Sequence, residues 1–433
     1  MKITLTLFLA LCFSIAFSQS SLNKSAISKA ENLESQVIEW RRYFHEHPEL
    51  SNREFETSKK IAEYLTSLGM EVETGVAKTG VVGILKGGKP GPVVALRADI
   101  DGLPVTERTD VPFASKVTTE YEGVKTGVMH ACGHDTHISI LMGVATVLSE
   151  IKAQLPGTVK FIFQPAEEGA PAGEEGGADL MIKEGALEDP KPEVIFGLHI
   201  SAGTPVGQIN YKPGGAMAAS DRFSIKVKGK QTHGSSPWNG VDPVVVSAQI
   251  INGLQTIISR QTMLTKEAAV ITVGKINGGV RFNIVPEEVT LTGTIRTLDE
   301  GMQNMIHNKV RLTATKIAES AGATAEVTIQ KMVPVTYNEP SLTDMMLPSL
   351  QRAAGQENVK LINAVTGAED FSFFQEKIPG LYFFIGGQPL DSDKPEVTLG
   401  GHHTPDFYID ESGLITGMKA MLNLTIDYMQ KKK

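Results

Sequence analysis

The segment PVVALRADI (92–100) is a continuous apolar run that ends in charge. A strand buried on both faces has this pattern, and it delivers polar residues at its C-terminal end. Similar runs recur with helical segments between them. GVVGILK (80–86) precedes it, and GTVKFIFQ (157–164) and VIFGLHI (194–200) follow. HISILMGVATVLSEIKAQ (137–154) reads as an amphipathic helix. Residues 33–70 read as two helices broken near Pro48, with Ile61, Leu65 and Leu68 at helical spacing and Gly69 as the stop. Strands alternating with helices predict an α/β layered domain with a largely parallel sheet.

After YKPGGAMAAS (211–220) the texture changes. DRFSIKVKG (221–229) alternates with period two, as a half-exposed strand does. A helix over 243–260, strands AAVITVGKI (268–276) and EEVTLTGTIRT (287–297), a charged helix over 299–320 and the strand TAEVTIQ (324–330) follow. That order is β-α-β-β-α-β, the ferredoxin-like arrangement. It predicts a small α+β domain over 216–332, inserted into an α/β domain built from 19–215 and 333–433. The α/β texture returns past 340, with a helix near 341–354, the strand GLYFFIGG (380–387) and a last helix near 411–430.

A chain of 433 residues has room for two such domains. Its 41% hydrophobic and 21% charged residues exclude disordered and fibrous classes. The net charge of −8, with no basic stripe, excludes a nucleic-acid surface. The opening MKITLTLFLALCFSIAFSQS reads as a secretory signal peptide over 1–18, cut after Ser18. Its apolar run is too short for a stable membrane span. The expected location is therefore periplasmic or secreted. Cys12 leaves with that peptide, and Cys132 then has no internal disulfide partner.

Cys132 lies in VMHACGHDTHISI (128–140), beside His130, His134 and His137. Gly133 permits a sharp turn before a helix expected to start near Asp135 or Thr136. The helix dipole and a nearby metal would both favour a thiolate there. FIFQPAEEGA (161–170) sets Glu167 and Glu168 just past a buried strand, where one carboxylate can bind metal and the other act as a base. His199 ends the strand of GLHI, and His402 and His403 lie in GGHHTPDF. Taken singly these are weak signals, since adjacent glutamates usually line a solvated loop and a strand-end histidine usually belongs to the core. Together they set Cys, His and Glu donors at strand ends, where ligands gather in open α/β sheets.

The motifs RRYFHEHPELSNREFET, LRADIDGLPV, MHACGHDTH, FQPAEEG, GLH, KGKQTHGSSPWNGVDPV, RFNIVPE, TGAEDFSFF and HHTPDF span nearly all of the mature chain. In this content and order the chain resembles the M20 metallopeptidase family. The likeness is to the amidohydrolase branch with hippurate hydrolases, N-acyl-amino-acid amidohydrolases and plant auxin-conjugate hydrolases. The resemblance implies a mixed-sheet di-metal hydrolase domain whose ferredoxin-like insert serves as a dimerisation and lid domain. It implies two divalent ions per subunit, of Zn, Mn, Co or Ni, a choice in which availability counts as much as affinity. The implied ligands are Cys132, His134, Glu168, His199 and His403, with Glu167 as general base and Asp99 behind the ligands. His403 is preferred to His402 because it precedes a small residue and proline. Arg97-Ala98-Asp99 stands where other branches of the family have His-x-Asp.

The resemblance further implies a homodimer. His233 would reach the partner's site and stabilise the oxyanion, and Asn283 would hold the substrate, with Arg281 and Arg296 as lesser helpers. One departure is the stretch APAGEE (170–175), longer than the branch usually has, which brings a decoy pair in Glu174 and Glu175. His45, His47, His130, His137, His307 and His402 are expected to be structural or to stand behind the ligands, with His130 and His137 supporting the Cys132 cluster.

The function implied is an exported amidohydrolase that frees an amino acid from an N-acyl conjugate. Three readings compete with it: a dipeptidase or carboxypeptidase on the same fold, an enzyme with Cys132 as nucleophile and a histidine base, and a binding module without activity.

Overall fold

The computed structural model describes residues 20–390 and 400–431. The expected signal peptide and Cys12 lie outside the described residues.

Strand Lys89–Asp99 occupies the middle of an eight-stranded sheet. The order is Glu71–Val76, Gly80–Lys86, Pro156–Gln164, Lys89–Asp99, Val194–Pro205, Gly380–Gln388, Ile209–Tyr211 and Val359–Leu361. The four strands from Pro156–Gln164 to Gly380–Gln388 run parallel. Pairing on either side of them, with Gly80–Lys86 and with Ile209–Tyr211, is antiparallel, so the sheet is mixed. Glu71–Val76 joins Gly80–Lys86 through a short turn, which only an antiparallel pair allows.

Helix His134–Glu150 packs against this sheet and is buried from His134 to Leu148. The sequence periodicity predicts an amphipathic helix here; the structure buries it on every side, because helices Ser21–Asn32, Glu34–Glu46 and Leu414–Lys431 cover its outer face. Leu96, Phe161, Phe196 and Leu198 of the sheet share one apolar cluster with Ile140, Val144, Met418 and Leu422 of the helices. Each such side chain contributes about 1.5–3 kcal/mol on full burial.

Strands between 219 and 333 form a second sheet with a core of its own. Its order is Ala269–Gly278, Glu288–Thr297, Ala219–Lys228 and Thr324–Val333, antiparallel throughout. Phe223, Ile225 and Val227 point inward against Ile250 and Leu254 of helix Pro243–Thr256 and Ile306 and Val310 of helix Glu300–Ser320. The first and second strands in sequence are parallel, with the third between them. That is the split β-α-β arrangement expected of a ferredoxin-like unit.

The parallel register places the site. Asp99 pairs with Gln164, and Arg97 with both Ile162 and Gly197. The C-terminal ends of three strands therefore share one edge, which receives Asp99, the Glu167–Glu168 turn and His199.

Candidate metal centre

Gly133 caps helix His134–Glu150 with φ of 95°. A Cβ there would come within 2.4 Å of Ile200 Cγ2, so glycine is required by backbone and by space. The turn sets Cys132 and His134 on the same edge as His199, and the helix begins at His134, slightly earlier than expected.

Cys132 Sγ lies at the centre. His199 Nε2 and His403 Nε2 are each 3.3 Å from it. His403 Nε2 is 3.1 Å from Glu168 Oε1. Two donor groups result, Cys132 with His134 and His199, and Cys132 with Glu168 and His403, their ligand atoms all within 4.8 Å in each. Cys132 belongs to both.

Hydrogen bonds behind the imidazoles fix which nitrogen is bare. His199 Nδ1 is 2.5 Å from the Ile200 carbonyl, which can only accept, so Nδ1 carries the proton and Nε2 presents a lone pair. His134 Nδ1 is 3.2 Å from Asp101 Oδ1, leaving His134 Nε2 buried with no partner. Glu168 Oε1 is also buried, and its near neighbour is the His403 imidazole nitrogen at 3.1 Å. An unpaired buried polar atom costs about 1–3 kcal/mol. The unpartnered His134 Nε2, within 4.8 Å of Cys132 Sγ and His199, fits a cation bound among them.

The charges point the same way. Asp99, Asp101, Glu167, Glu168, Glu369 and Asp370 crowd the site. One buried guanidinium opposes them: Arg97 binds Asp99 at 2.6 Å, Glu369 at 2.9 Å and Asp370 at 3.0 Å. Burial disfavours charge on His134, yet Asp99, Asp101 and Glu168 raise it to about 10, so Nε2 attracts a positive charge, a proton where no metal ion takes its place. Burial, Glu168 and Glu167 push the Cys132 thiol up, so a thiolate there calls for a metal. Burial first, then Glu369 and Glu168, raise the proton affinity of Glu167 well above the usual carboxylate range. Glu167 Oε2 lies 3.8 Å from His134 Nε2.

Cys132, Glu167, Glu168, His199 and His403 line a cavity of about 560 Å³. Arg296, Ser220 and Val333 of the second sheet close it. Ser220 pairs with Arg296 on one side and Val333 on the other, so the three form one row at the sheet's end. A larger cavity, about 720 Å³ near Asp299 and Phe373, includes no Cys or His donor.

Asp99 stands behind the cluster. Its Oδ1 is 2.5 Å from His137 Nδ1 and 3.8 Å from His134 Nδ1. His137 Nε2 accepts from Ile200 N–H at 2.9 Å, so both its nitrogens are engaged. His402 is engaged too, between the Cys132 carbonyl and Ala202 N–H, each at 3.2 Å. Glu174 of the longer loop binds Arg53 and Lys78 away from the cluster. His233 and Asn283 do not line the cavity. His233 is exposed on the short strand Thr232–His233, and Asn283 adjoins its partner strand Ile284–Val285. Sequence reasoning gave no role to Arg97, Asp101, Glu369 or Asp370, although charged residues closing an apolar strand were a usable sign for the first two.

The profile of peptidase family M20/M25/M40 matches residues 95–427. Thermostable carboxypeptidase 2 of Saccharolobus solfataricus is 41% identical over 93% of this chain and 97% of its own length. N-acetylcysteine deacetylase of Bacillus subtilis is 37% identical over 92% of this chain and 98% of its own. The solved Bacillus subtilis YXEP protein, described as a dinuclear metal binding peptidase from the M20 family, is 35% identical. It covers 92% of this chain and 99% of its own, with a TM-score of 0.77.

Proposed function

This chain belongs to peptidase family M20/M25/M40 and is a metal-dependent amide hydrolase, and on that premise we propose that it frees amino acids from N-acyl conjugates, with Glu167 as the general base. The observation that carries the reading is Cys132 Sγ held 3.3 Å from two imidazoles with Glu167 and Glu168 beside it. Cys132, His134, Glu168, His199 and His403 would hold the two divalent ions, Cys132 belonging to both donor groups. When bound, such ions supply polarisation of the amide carbonyl and acidification of a water. Glu167, with its raised proton affinity, accepts the water's proton and returns it to the leaving amine. Arg296 offers a guanidinium for the freed carboxylate.

A homodimer would complete the site. Val280 and Phe282, 94% and 95% exposed, flank Arg281 and precede Asn283. Strand Ala269–Gly278 presents an open edge with Val270 and Ile276 exposed. Docked on a second copy, this face would bring His233 and Asn283 to the other subunit's cavity. Export through residues 1–18 belongs to the same proposal, and a mature protein beginning at Gln19 would support it. Among the described residues no helix is long and apolar enough to cross a membrane.

A peptidase reading has support of its own, because a 41% identical relative is named a carboxypeptidase. The test is amino-acid release from N-acetyl, N-benzoyl and dipeptide substrates after chelation, then with Mn, Zn or Co restored. Restored cleavage of the acyl-amino acids is expected. Restored cleavage of dipeptides alone moves the assignment to peptidase.

A further inference from the structure

The Glu167–Glu168 turn has an unusual entry. Ala166, just before Glu167, has φ of 52°, in the left-handed region that a Cβ disfavours. Such a conformation persists where its surroundings hold it. A carboxylate from a distant element does so here. Ala166 N–H donates to Glu54 Oε1 at 2.9 Å, and Thr79 Oγ1 donates to Glu54 Oε2 at 2.6 Å. Glu54 is fully buried.

Glu54 stands at the N-cap of helix Phe55–Ser67, yet its side chain does not cap that helix. Glu49 supplies the cap instead, accepting from Glu56 and Thr57 N–H at 3.2 and 2.8 Å. The residues before Glu54 brace the same region. Ser51 Oγ donates to Asp101 Oδ2 at 2.7 Å, and that oxygen accepts Glu168 N–H at 3.1 Å. Asn52 Nδ2 donates to the Glu175 carbonyl at 3.0 Å. Burial and Asp101 raise Glu54 to about 7, but a carboxyl keeps an acceptor oxygen in either protonation state.

We propose that Glu54 is a positioning residue for the base: by accepting Ala166 N–H it holds the left-handed turn that aims Glu167 into the cavity. Its side chain hydrogen-bonds to Thr79 and Ala166, not to the donors around Cys132. The proposal rests on Glu167 as the base.

The test uses the metal-loaded full chain. Glu54→Gln keeps an acceptor, Glu54→Asp keeps the charge but withdraws the oxygen by one methylene, and Glu54→Ala removes both. Leu350→Ala, in the main apolar cluster, controls for lost stability. Two readouts are taken: kcat and KM on the best N-acyl-amino acid, and hydrogen exchange of the peptide 161–170. A misplacement near 1 Å costs about 10²-fold in rate. Glu54→Asp and Glu54→Ala are expected to lose about that much kcat at near-constant KM and metal content, and to exchange faster at 161–170. Glu54→Gln should resemble wild type in both. Wild-type exchange in Glu54→Asp, or a loss no greater than that of Leu350→Ala, overturns the proposal. So does a Gln variant as impaired as Ala. Should the Ala variant fail to fold, the Asp and Gln variants decide. Glu167→Gln is measured alongside: full activity there sinks the base reading, while exchange at 161–170 still reports whether Glu54 holds the turn.

Discussion

Cys132 Sγ lies 3.3 Å from His403 Nε2, though 271 positions separate them in sequence. The contact is anchored through the backbone, since His403 N–H donates to the Ala131 carbonyl at 2.8 Å. A donor that serves both groups should matter more than one that serves a single group. Cys132→Ala is expected to lose most of both ions, and His403→Ala about one per chain, a number set by the shared-donor geometry. Metal analysis of the purified variants checks this. Equal losses in the two would contradict a role for Cys132 in both donor groups.

Gly133→Ala should be among the most damaging small substitutions. The left-handed backbone costs about 1–2 kcal/mol for a residue with a Cβ, and Ile200 Cγ2 would lie 2.4 Å from the new carbon. We expect a lower melting temperature and weaker metal retention together. Wild-type values for both would show that the turn can relax.

Arg97→Met leaves Asp99, Glu369 and Asp370 without their shared cation. Breaking a buried pair in this way costs about 3–5 kcal/mol. Chemical denaturation should register a loss of that size in the metal-free protein. A loss below about 1 kcal/mol would mean that the carboxylates take up protons cheaply.

His130 supplies a pH signature. Both its ring nitrogens are buried without partners, and burial lowers it from 6.5 to about 4. Above pH 6.5 folded and unfolded chains are both neutral at this ring. Between 6.5 and 4 the unfolded chain takes a proton that the folded one refuses, so stability falls as pH falls. The slope from one such group reaches about 1.4 kcal/mol per pH unit. In His130→Met the melting temperature should decline less between pH 6.5 and 4 than in wild type. Parallel curves would show that the ring is hydrated or paired.

Much of the fold was legible because apolar periodicity is local. The run 92–100 and the alternation at 221–229 each announce how many faces of a strand are covered. Helix Ser21–Asn32 is not legible in the sequence because it buries only Leu22, Asn23, Ala26 and Ala30, too small and polar a stripe to stand out. Strand Glu71–Val76 is not legible either, because it lies at a sheet edge, with only Val76 buried. The donors of the candidate site carry their chemistry in their identity and were visible as residue types. Their support was not. Arg97 meets Glu369 across 272 positions and Glu54 meets Ala166 across 112, pairings that no local pattern encodes. His233 was visible as a motif, yet the fold of this chain leaves it outside the cavity.

The most direct measurement titrates the metal-free enzyme with Mn, Zn or Co while following hydrolysis of an N-acyl-amino acid and counting bound ions. Two donor groups sharing Cys132 predict no activity without metal and full activity as occupancy approaches two ions per chain. Undiminished hydrolysis in rigorously metal-free protein would contradict the two-metal site and return Cys132 to consideration as a nucleophile.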